Sequence, residues 1–504
     1  MSRKLLQVFV LLPLALICLA MPQHSFASTT AQSPWPGQPG NPVGYAAWTG
    51  WTGSFNTTPC PSSPASGTSW SNATVVQNCT YAGDVAINCS YCEFIHVDFS
   101  GGSGRGNRGV SGSHVLLIGD RFQSNYVEAS SVGVGGSYIY FFYDSFEPLV
   151  SYYTSPPGSL WPSAGAGANS TKITEGVDAI NGNEGYQFGV ILGNGSGPIW
   201  IDHCDFWGFG NAITILTTIA PMTITNNWIH DAANPTEQSY HTDGIGFLNG
   251  NTAPNNVAII GNTVAMLGNT NALALQAATG GYQNIHVNNN FWSGDGATIA
   301  FCHPGSVQCA NSTFYGNTFG TDVEAGGPLY DPGASLGTGS VWACNTIEVR
   351  SGTTWANFVN GQYFLNAVSE NSATDQGGNT YCAMTAPSAI QFGKYAAGTT
   401  SAGKAITISN TNTGNLSIAS IALAGGAGSP FTITSNTCGS MLNSGSSCSI
   451  TVIFAPTSMG PQTDTLLIRD NTAGVSSPQL VPLAGIGTAG SSVAPPSGLN
   501  GVVQ

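Results

Sequence analysis

The central part of the chain repeats a short pattern: alternating apolar residues, then Asn or Asp, one further residue, and another apolar residue. The pattern occurs in VLLIGDRF at Asp120, IYFFYDSF at Asp144, IWIDHCDF with Cys204 in the polar place, and MTITNNWI at Asn227, and it continues at Asn262, Asn290, Asn317 and Asn345. After Cys204 the successive copies lie 23, 35, 28, 27 and 28 residues apart. Sequence that repeats at such intervals indicates stacked supersecondary units.

Each unit has strands of period two, broken by Gly and Asn, and no helical spacing. The pattern therefore predicts an all-β chain with a right-handed parallel β-helix in residues 69–385, most regular between 75 and about 347. In such a helix every coil pairs with the next, and stacked Asn side chains bond to neighbouring backbone groups. The inward positions that we expect to fill the core are Phe206, Ile229, Val264, Trp292, Phe319 and Ile347.

A second polar column supports the stacking. The segments GNAITI, TDGIGF, TNALAL and GDGATI align four polar residues, each followed by apolar positions: Asn211, Asp243, Asn271 and Asp295. Residues 147–188 interrupt the repeat, and we expect a long excursion from one coil there, of the kind that often forms the wall of a binding groove.

Beyond residue 386 the chain changes to short alternating strands with turn residues between them, which predicts a β-sandwich over 386–487 and a flexible tail over 488–504. The segment CGSMLNSGSSCSITVIFAPTSMG carries a resemblance to the immunoglobulin-like domains of the abnormal-spindle and hydin type. The resemblance implies a non-catalytic spacer or attachment module.

The N-terminus has the anatomy of a secretory signal peptide: a basic start, an apolar centre and a small-residue end at Ala27. We expect cleavage after Ala27, a cap region over 28–68, and a protein that is secreted or held at the cell surface, as a monomer. The signal carries Arg3 and Lys4 and no acid, so its loss changes the formal charge from −14 to −16. That acidity disfavours nucleic acid as a partner, and no later apolar run predicts a transmembrane segment.

Export makes disulfides plausible among the eleven cysteines that remain after Cys18 is removed with the signal. The short loops from Cys302 to Cys309 and from Cys438 to Cys448 are the preferred pairs, and the odd number leaves at least one thiol free. The Cys89-x-x-Cys92 motif is structural, redox-active or metal-binding, with the structural reading preferred.

Two segments resemble those of polysaccharide-degrading enzymes. IWIDHCDF, residues 199–206, looks like the WIDH segment of pectate lyases, and HTDGIGF, residues 241–247, looks like the NTDG segment of polygalacturonases, whose aspartate is catalytic. The β-helical region thus resembles the pectin-lyase-like superfamily, and the resemblance implies a catalytic role for Asp243.

We therefore expect a polysaccharide-active protein, with a glycoside hydrolase favoured over a polysaccharide lyase. β-Elimination needs a base such as Lys or Arg to remove a proton, and residues 173–349 contain neither. A lyase would therefore depend on Lys172 or Arg121 reaching the groove. Asp243 and Asp295, two coils or roughly 10 Å apart, are the candidate acid and base. Asp231 and His241 are candidate modulators of that pair.

The surrounding residues supply further candidates. Trp207, Trp228, Phe291, His230 and Lys172 are predicted to bind substrate, and Asp205 with His203 is a candidate metal pair. No cofactor is required, and calcium is the metal ion that such oxygen ligands would take. Two alternatives stay open: a purely architectural aspartate column, and a non-catalytic carbohydrate-binding or cell-surface protein.

Overall fold

The computed structural model describes most of the β-rich part of the chain. The described residues are 43–83, 85–100, 108–123, 127–129, 136–147, 188–192, 198–207, 209, 211–215, 221–230, 243–248, 255–266, 271–276, 282–294, 297–303, 309–320, 329–330, 341–343, 346–351, 354–358, 374–375, 390–410, 414–470 and 478–489. The predicted signal peptide, the predicted tail beyond residue 489, almost all of the 147–188 excursion, and the predicted boundary at 385/386 lie outside these ranges.

Three sheets of parallel strands form the first domain, with strands numbered in chain order. Sheet 1 contains β1 Thr74–Gln77, β4 Cys92–Ile95, β7 Ser113–Ile118, β10 Ser137–Phe142, β13 Ile199–Asp202, β16 Met222–Thr225, β19 Asn255–Ile260, β22 Tyr282–Asn288, β25 Cys309–Ala310, β26 Thr313–Tyr315, β29 Val341–Ala343 and β32 Thr374–Asp375. Sheet 2 contains β2 Thr80–Ala82, β5 Asp98–Ser100, β8 Arg121–Gln123, β11 Ser145–Glu147, β14 Asp205–Trp207, β17 Trp228–His230, β20 Thr263–Met266, β23 Phe291–Gly294, β27 Thr318–Gly320, β30 Thr346–Ser351 and β31 Thr354–Phe358. Sheet 3 contains β3 Ala86–Asn88, β6 Arg108–Ser111, β9 Val127–Ala129, β12 Phe188–Leu192, β15 Asn211–Ile215, β18 Asp243–Leu248, β21 Asn271–Gln276, β24 Ala297–His303 and β28 Leu329–Tyr330.

Successive coils pass through the sheets in the order 1, 2, 3, and each strand pairs in parallel with the strand one coil away, except that β31 runs antiparallel to β30. The predicted parallel β-helix is therefore confirmed. Short 3-10 helices at Tyr45–Ala47 and Trp70–Asn72 precede it.

A β-sandwich follows, as predicted. One sheet contains β33 Ile390–Ala396, β40 Pro478–Thr488, β39 Gly460–Asp470, β35 Leu416–Leu423 and β37 Met441–Leu442, and the other contains β34 Lys404–Ser409, β38 Ser447–Phe454 and β36 Phe431–Asn436. A 3-10 helix spans Gly426–Gly428. Alternate residues of these strands meet in a separate apolar core that includes Ile406, Val452, Leu466 and Val481.

The turn from sheet 1 to sheet 2 carries the predicted Asn column. The first turn residue has left-handed φ in coil after coil, for example 53° at Asn226, 73° at Gly261 and 56° at Asn289, a conformation that Gly and Asn adopt most readily. The second residue then points its side chain along the helix axis, where it meets the same position of the next coil.

The column is a continuous hydrogen-bonded ladder. The Asn262 N–H donates to Asn290 Oδ1 at 2.8 Å, and the Asn262 amide donates from Nδ2 to the same oxygen at 2.9 Å and to the Ile224 carbonyl at 2.8 Å. Asn227 and Asn290 repeat this arrangement, the latter with Asn317. Because these amides are buried, the ladder satisfies backbone groups that would otherwise lose water without replacement.

Two members of the same column are aspartates. The Val97 N–H donates to Asp120 Oδ1 at 2.6 Å, and the Asp120 N–H donates to Asp144 Oδ1 at 2.8 Å, so each carboxyl accepts where an Asn oxygen would. Both side chains are fully buried. Burial raises the pKa of both carboxyls well above the usual range, and the neighbouring Asp120 raises that of Asp144 further.

Inside the β-helix the central residue of each sheet 2 strand faces the core. The rings of Phe99, Phe122, Phe146 and Phe206 stack coil on coil, with centroids 4.5, 5.0 and 4.4 Å apart in that order and nearly parallel planes. Phe206, Ile229, Val264 and Trp292 are buried as the predicted inward series requires. The side chains of Phe319 and Ile347 lie outside the described residues.

The β-sandwich packs against the outer face of sheet 1. Ala484 and Ile486 of β40 join a buried apolar cluster with outward residues of β7, β10 and β13, namely Leu116, Ile118, Tyr140, Phe142 and Trp200. Polar contacts flank this cluster: Gln391 Nε2 donates to Asp202 Oδ2 at 3.0 Å, and Lys394 Nζ lies 5.4 Å from the Trp48 ring centroid. The predicted spacer module is thus docked along the β-helix.

Residues 43–60, here called the N-terminal strap, run from the turn between sheets 1 and 2, where Trp48 also packs on the sandwich cluster, across the outer face of sheet 2. The Gly44 N–H donates to the His203 carbonyl at 2.8 Å, and the Tyr45 N–H donates to Ser145 Oγ at 3.3 Å. At the other end a disulfide joins Cys60 to Cys79, with Cα atoms 5.1 Å apart. The strap therefore covers the lower coils of sheet 2 and is covalently tied to the first coil.

Replacing Trp200 by alanine tests the docking. Trp200 is 6% exposed beneath the sandwich, so Trp200→Ala is expected to destabilise the protein by about 3 kcal/mol and to give the β-helix and sandwich separate unfolding transitions in calorimetry. Val75→Ala, at a position of the same sheet that is 50% exposed, is the control and should change stability by less than about 0.5 kcal/mol. A Trp200→Ala protein that keeps the wild-type transition would contradict the docked arrangement.

The two aspartates predict an unusual pH response. Because the folded-state pKa of Asp120 is raised, the folded protein holds a proton that the unfolded chain releases, and stability falls as pH rises above about 4. Asp120→Asn lets an amide donate to Asp144 Oδ1, so we expect a gain of about 1 to 3 kcal/mol at pH 7 that disappears near pH 4.

The reciprocal change is Asn262→Asp, which replaces a donor to Ile224 and Asn290 by a carboxyl. It should destabilise by about 2 to 4 kcal/mol at pH 7, and less in acid. Urea unfolding at pH 4 and 7 measures both variants. If both variants gained stability at pH 7, or both lost it, the ladder would not distinguish an amide from a carboxyl.

Candidate functional site

Asp243, the predicted catalytic acid, lies at the start of β18 inside the second polar column. Its backbone N–H donates to Asn211 Oδ1 at 3.0 Å, and β18 pairs it with Asn211 on one side and Asn271 on the other. The residue is 0% exposed. It occupies the same face of β18 as Ile245 and Phe247, which pack in the core. Asp243 therefore belongs to the interior of the coil.

The predicted partner of Asp243 does not share its column. In the next coil Asn271 pairs with Ala297 and Leu273 pairs with Ile299, so the register places Ala297 where the alignment predicted Asp295. The alignment was wrong by two residues. Asp295 lies outside the described residues, as do Asp231, His241 and Lys172, so their proposed roles remain predictions.

The candidate metal pair is separated by the fold. His203 is in the turn after β13, with Nδ1 3.0 Å from Asp202 Oδ2 and its ring 4.8 Å from that of Tyr143. Asp205 begins β14, and its Oδ1 lies 2.9 Å from His230 Nε2. The two residues thus face different neighbours, and the described part of the chain contains no group of three or more His, Cys, Asp or Glu residues that could hold a metal ion.

Asp202, which sequence reasoning passed over, connects His203 to the sandwich. Burial alone would raise the pKa of its carboxyl, but His203 and hydrogen bonds from Thr225 and Asn226 outweigh burial and hold that pKa below its usual range. With Gln391 as a further donor, the ionised Asp202 anchors the domain interface. The WIDH segment is accordingly a structural contact in this protein.

The outer face of sheet 2 brings together the charged residues of neighbouring coils. This sheet 2 polar cluster consists of Asp98, Arg121, Gln123, Glu147, Asp205 and His230. Arg121 binds Asp98 in a bidentate pair, Nε to Oδ1 at 2.9 Å and Nη2 to Oδ2 at 2.7 Å, and Gln123 Nε2 donates to Glu147 Oε2 at 3.3 Å. The cluster lies beside the strap, whose Phe55 ring is 4.8 Å from the Arg121 guanidinium.

Arg121 is held as a cation. Burial lowers the pKa of the guanidinium, but the hydrogen bonds and charge of Asp98 outweigh burial and raise it above the ordinary value. A group that must lose a proton to act as a base is therefore unsuited to that role here. The possibility that Arg121 serves as the base of a lyase is not supported by this geometry.

Glu147 is the most perturbed carboxyl of the cluster. Its pKa is raised to about 7, chiefly by burial; the charge of Arg121 and the Gln123 hydrogen bond act to lower it, and the charges of Asp205 and Asp98 act to raise it. Tyr45 of the strap has the same surroundings. Burial, and to a smaller extent the charge of Glu147, raises the pKa of its hydroxyl to about 12. Sequence reasoning missed Asp98 and Glu147, although both flank an inward phenylalanine and must therefore face outward.

The predicted aromatic platform is only partly present. Trp207 is 3% exposed and Phe291 is 0% exposed, so these two are covered although they face away from the core. Trp228 is half-buried, and its ring stacks on His230 with centroids 3.5 Å apart. Of the three aromatic residues predicted to bind substrate, only Trp228 therefore keeps an appreciable exposed surface.

The cysteines are structural. Cys438 and Cys448 form the predicted disulfide, with Cα atoms 5.0 Å apart, and Cys89 bonds to Cys92 within the buried core. Cys309 is disulfide-bonded, but the side chain of Cys302 lies outside the described residues, so that pairing remains a prediction. Cys204 is a free, buried thiol. Burial raises its pKa, so the thiol stays protonated and unreactive.

The protein is therefore a parallel β-helix with a docked C-terminal immunoglobulin-like β-sandwich. Residues 380–477 match the family model described as "Abnormal spindle-like microcephaly-assoc'd, ASPM-SPD-2-Hydin", which confirms the resemblance of the sandwich. No curated protein matches the chain. Within the ranges described above, the chain has no helix with the length and apolar character of a membrane span.

Solved structures show local similarity at low identity. Secreted serine protease VesC from Vibrio cholerae is 16% identical over 21% of this chain and 23% of its own, with a TM-score of 0.18. The ASH/PapD-like domain 7 of human CEP192 is 13% identical over 21% of this chain and 87% of its own, with a TM-score of 0.17. Vibrio cholerae VesB protease is 16% identical over 27% of this chain and 38% of its own, with a TM-score of 0.18. The chain spans less than half of either protease.

Glu147 gives the site a measurable pH signature. Because its folded-state pKa of about 7 exceeds the ordinary 4.5, its contribution to stability is greatest below pH 4.5 and falls as pH rises to about 7. Glu147→Gln should therefore match wild type near pH 4 and exceed its stability by about 1 to 3 kcal/mol at pH 8. Chemical unfolding across this range is the measurement, and parallel pH profiles for the two proteins would show that Glu147 titrates normally.

Proposed function

We propose that the protein is a non-catalytic, extracellular polysaccharide-binding or cell-surface interaction protein in which a rigid β-helix presents the binding surface. The observation that carries the proposal is the burial of Asp243. An acid or base must reach the glycosidic oxygen or an attacking water, and a carboxyl with 0% exposure in an Asn column reaches neither.

The register of sheet 3 gives independent support. A glycoside hydrolase of the predicted kind needs two carboxyls across the scissile bond, but Ala297 stands in the position that the alignment gave to Asp295. Between Asn211 and Ala297 the column then contains a single aspartate among asparagines, and the backbone N–H of this Asp243 is bound by the Asn211 side chain. Glycan cleavage at Asp243 is thus the weaker proposal.

The docked sandwich favours an interaction role. A flexible spacer would keep its own polar surface, whereas Ala484 and Ile486 bury apolar side chains against sheet 1. Joined in this way, the two domains form an extended rigid surface, and a rigid surface loses little entropy on binding a partner. This is the property expected of a binding protein on a cell surface or in a polysaccharide matrix.

Charge selects the class of glycan. Cleavage of the predicted signal peptide would leave a formal charge of −16, which repels uronate polymers and other polyanions. We infer that neutral polysaccharides are the ligands. No cofactor is proposed, and calcium enters only as the ion that could bridge aspartates to an acidic glycan.

The decisive experiment incubates the mature protein and its Asp243→Asn variant with neutral and acidic polysaccharides, with and without calcium. Co-sedimentation measures binding, while reducing ends and the ultraviolet absorbance of unsaturated uronides measure cleavage. We expect binding to a neutral polysaccharide with no product, and the same binding by Asp243→Asn, whose amide can occupy the same column.

Formation of reducing ends by the wild type and their loss in Asp243→Asn would overturn the proposal and establish a hydrolase. Absorbance from unsaturated uronides would establish a lyase instead. Neither binding nor product with a folded protein would leave only a structural role for the β-helix.

A further inference from the structure

The N-terminal strap closes over one histidine of the β-helix. His96 lies in the turn between β4 and β5 and is 2% exposed. Its ring centroid is 4.8 Å from that of Phe55, 5.0 Å from that of Trp51 and 6.1 Å from that of Trp48, all three in the strap. The imidazole therefore fills an apolar enclosure formed jointly by the strap and the turn.

The surroundings of His96 favour a neutral ring, because they offer an acceptor to Nδ1 and none to Nε2 within the described residues. Nδ1 lies 2.9 Å from Asn78 Oδ1, and because an amide oxygen only accepts, this contact requires the proton on Nδ1. Nε2 is buried and has no partner within the described residues. Adding a proton would create both a charge and an N–H donor with no acceptor, which is costly in an apolar enclosure.

The charged groups around the enclosure do not remove this cost. Asp98 of β5 favours the charged ring, but it is already bound by Arg121 of β8, whose guanidinium lies against the Phe55 ring. From the sandwich, Lys394 Nζ approaches Trp48. Burial accordingly lowers the pKa of His96, although Asp98 raises it.

We propose that the N-terminal strap is an acid-sensitive cover that opens when His96 is protonated, exposing the outer face of sheet 2 while Cys60–Cys79 keeps the strap attached. The direction of the pH dependence follows from the linkage between proton binding and stability. A histidine whose folded-state pKa is lowered stabilises the closed form fully above about pH 6.5, and this stabilisation is lost as pH falls below that value.

Opening would uncover the sheet 2 polar cluster. The strap touches the cluster through Phe55 at Arg121, and the Tyr45 N–H donates to Ser145 Oγ on the same face of sheet 2. Within the cluster, Glu147 acts in the opposite direction, because its raised pKa makes the closed form more favourable as pH falls towards 4.5. Glu147→Gln removes that opposition and should make the His96 transition steeper.

Hydrogen exchange of the full-length mature protein between pH 5 and 8, corrected for the intrinsic exchange rate, tests the cover. We expect protection of amides in residues 44–58 to fall up to about tenfold per pH unit below about pH 6.5, while amides of β19 to β22 stay protected. The core amides distinguish opening of the strap from global unfolding.

Two histidine variants are matched by backbone conformation. His96 has φ of 56°, and Asn78, Asn226 and Asn289 adopt similar angles at the equivalent turn, so His96→Asn suits the backbone and cannot titrate. His114→Asn is the control, because His114 also has left-handed φ and a pKa that burial lowers, but it stacks between Tyr91 and Tyr138, away from the strap.

The expected result is a pH-dependent loss of strap protection in wild type and His114→Asn, and none in His96→Asn. Persistence of the pH dependence in His96→Asn, or its absence from wild type, overturns the proposal. If His96→Asn leaves the strap unprotected at every pH, the His96 titration is followed in wild type by nuclear magnetic resonance. Opening must then follow that titration, and opening at a different pH overturns the proposal.

Discussion

The structure depends on a requirement that every coil imposes on its neighbour: backbone N–H groups buried at the turn between sheets 1 and 2 must find acceptors. The side-chain oxygens of Asn262 and Asn290 each accept two hydrogen bonds from the preceding coil, and that of Asn227 accepts one from the Cys204 N–H. The side-chain amide of each of these three residues donates twice. The turn geometry, the repeat of the sequence and the alignment of the three sheets all follow from keeping these side chains in line. The aspartates at Asp120 and Asp144 satisfy the acceptor half of this requirement only, which explains why protonation stabilises them.

The second constraint is the burial of sheet 1 on both faces. Along β7, β10 and β13 the residues facing the core alternate with residues facing the sandwich, and both sets are apolar. Such a strand reads in the sequence as a continuous apolar run, as in VLLI, IYFF and IWI, and a continuous run indicates two covered faces. A strand of the same sheet that is exposed, β1, has Val75 at 50% exposure instead. The apolar outward positions of these three strands thus indicate a covered face, although the sandwich that covers it lies far away along the chain.

How much of the site was predictable differs from residue to residue. The Asn ladder and inward aromatic series follow from period two and the spacing of the repeats, so they could be placed from sequence. The burial of Asp243 could also have been read from sequence, because Asp243, Ile245 and Phe247 alternate on one face of β18. The pairing of Asn271 with Ala297 could not, because turn lengths vary between coils and a shift of two residues preserves the apolar alternation. The separation of His203 from Asp205 depends on the sharp turn at Cys204, which sends neighbouring polar side chains to different sheets.

The distribution of charge over the β-helix follows from the same alternation. A carboxyl on the inward parity of a strand, such as Asp243, is buried within the column. One on the outward parity of sheet 2, such as Glu147 or Asp205, is free of the column and is governed by whatever covers that face. In this protein the cover is the strap, whose aromatic side chains exclude water from the lower coils and thereby alter the ionisation of groups that would otherwise titrate normally. The chemically responsive part of the molecule is therefore the boundary between strap and sheet 2, where apolar cover and polar surface meet.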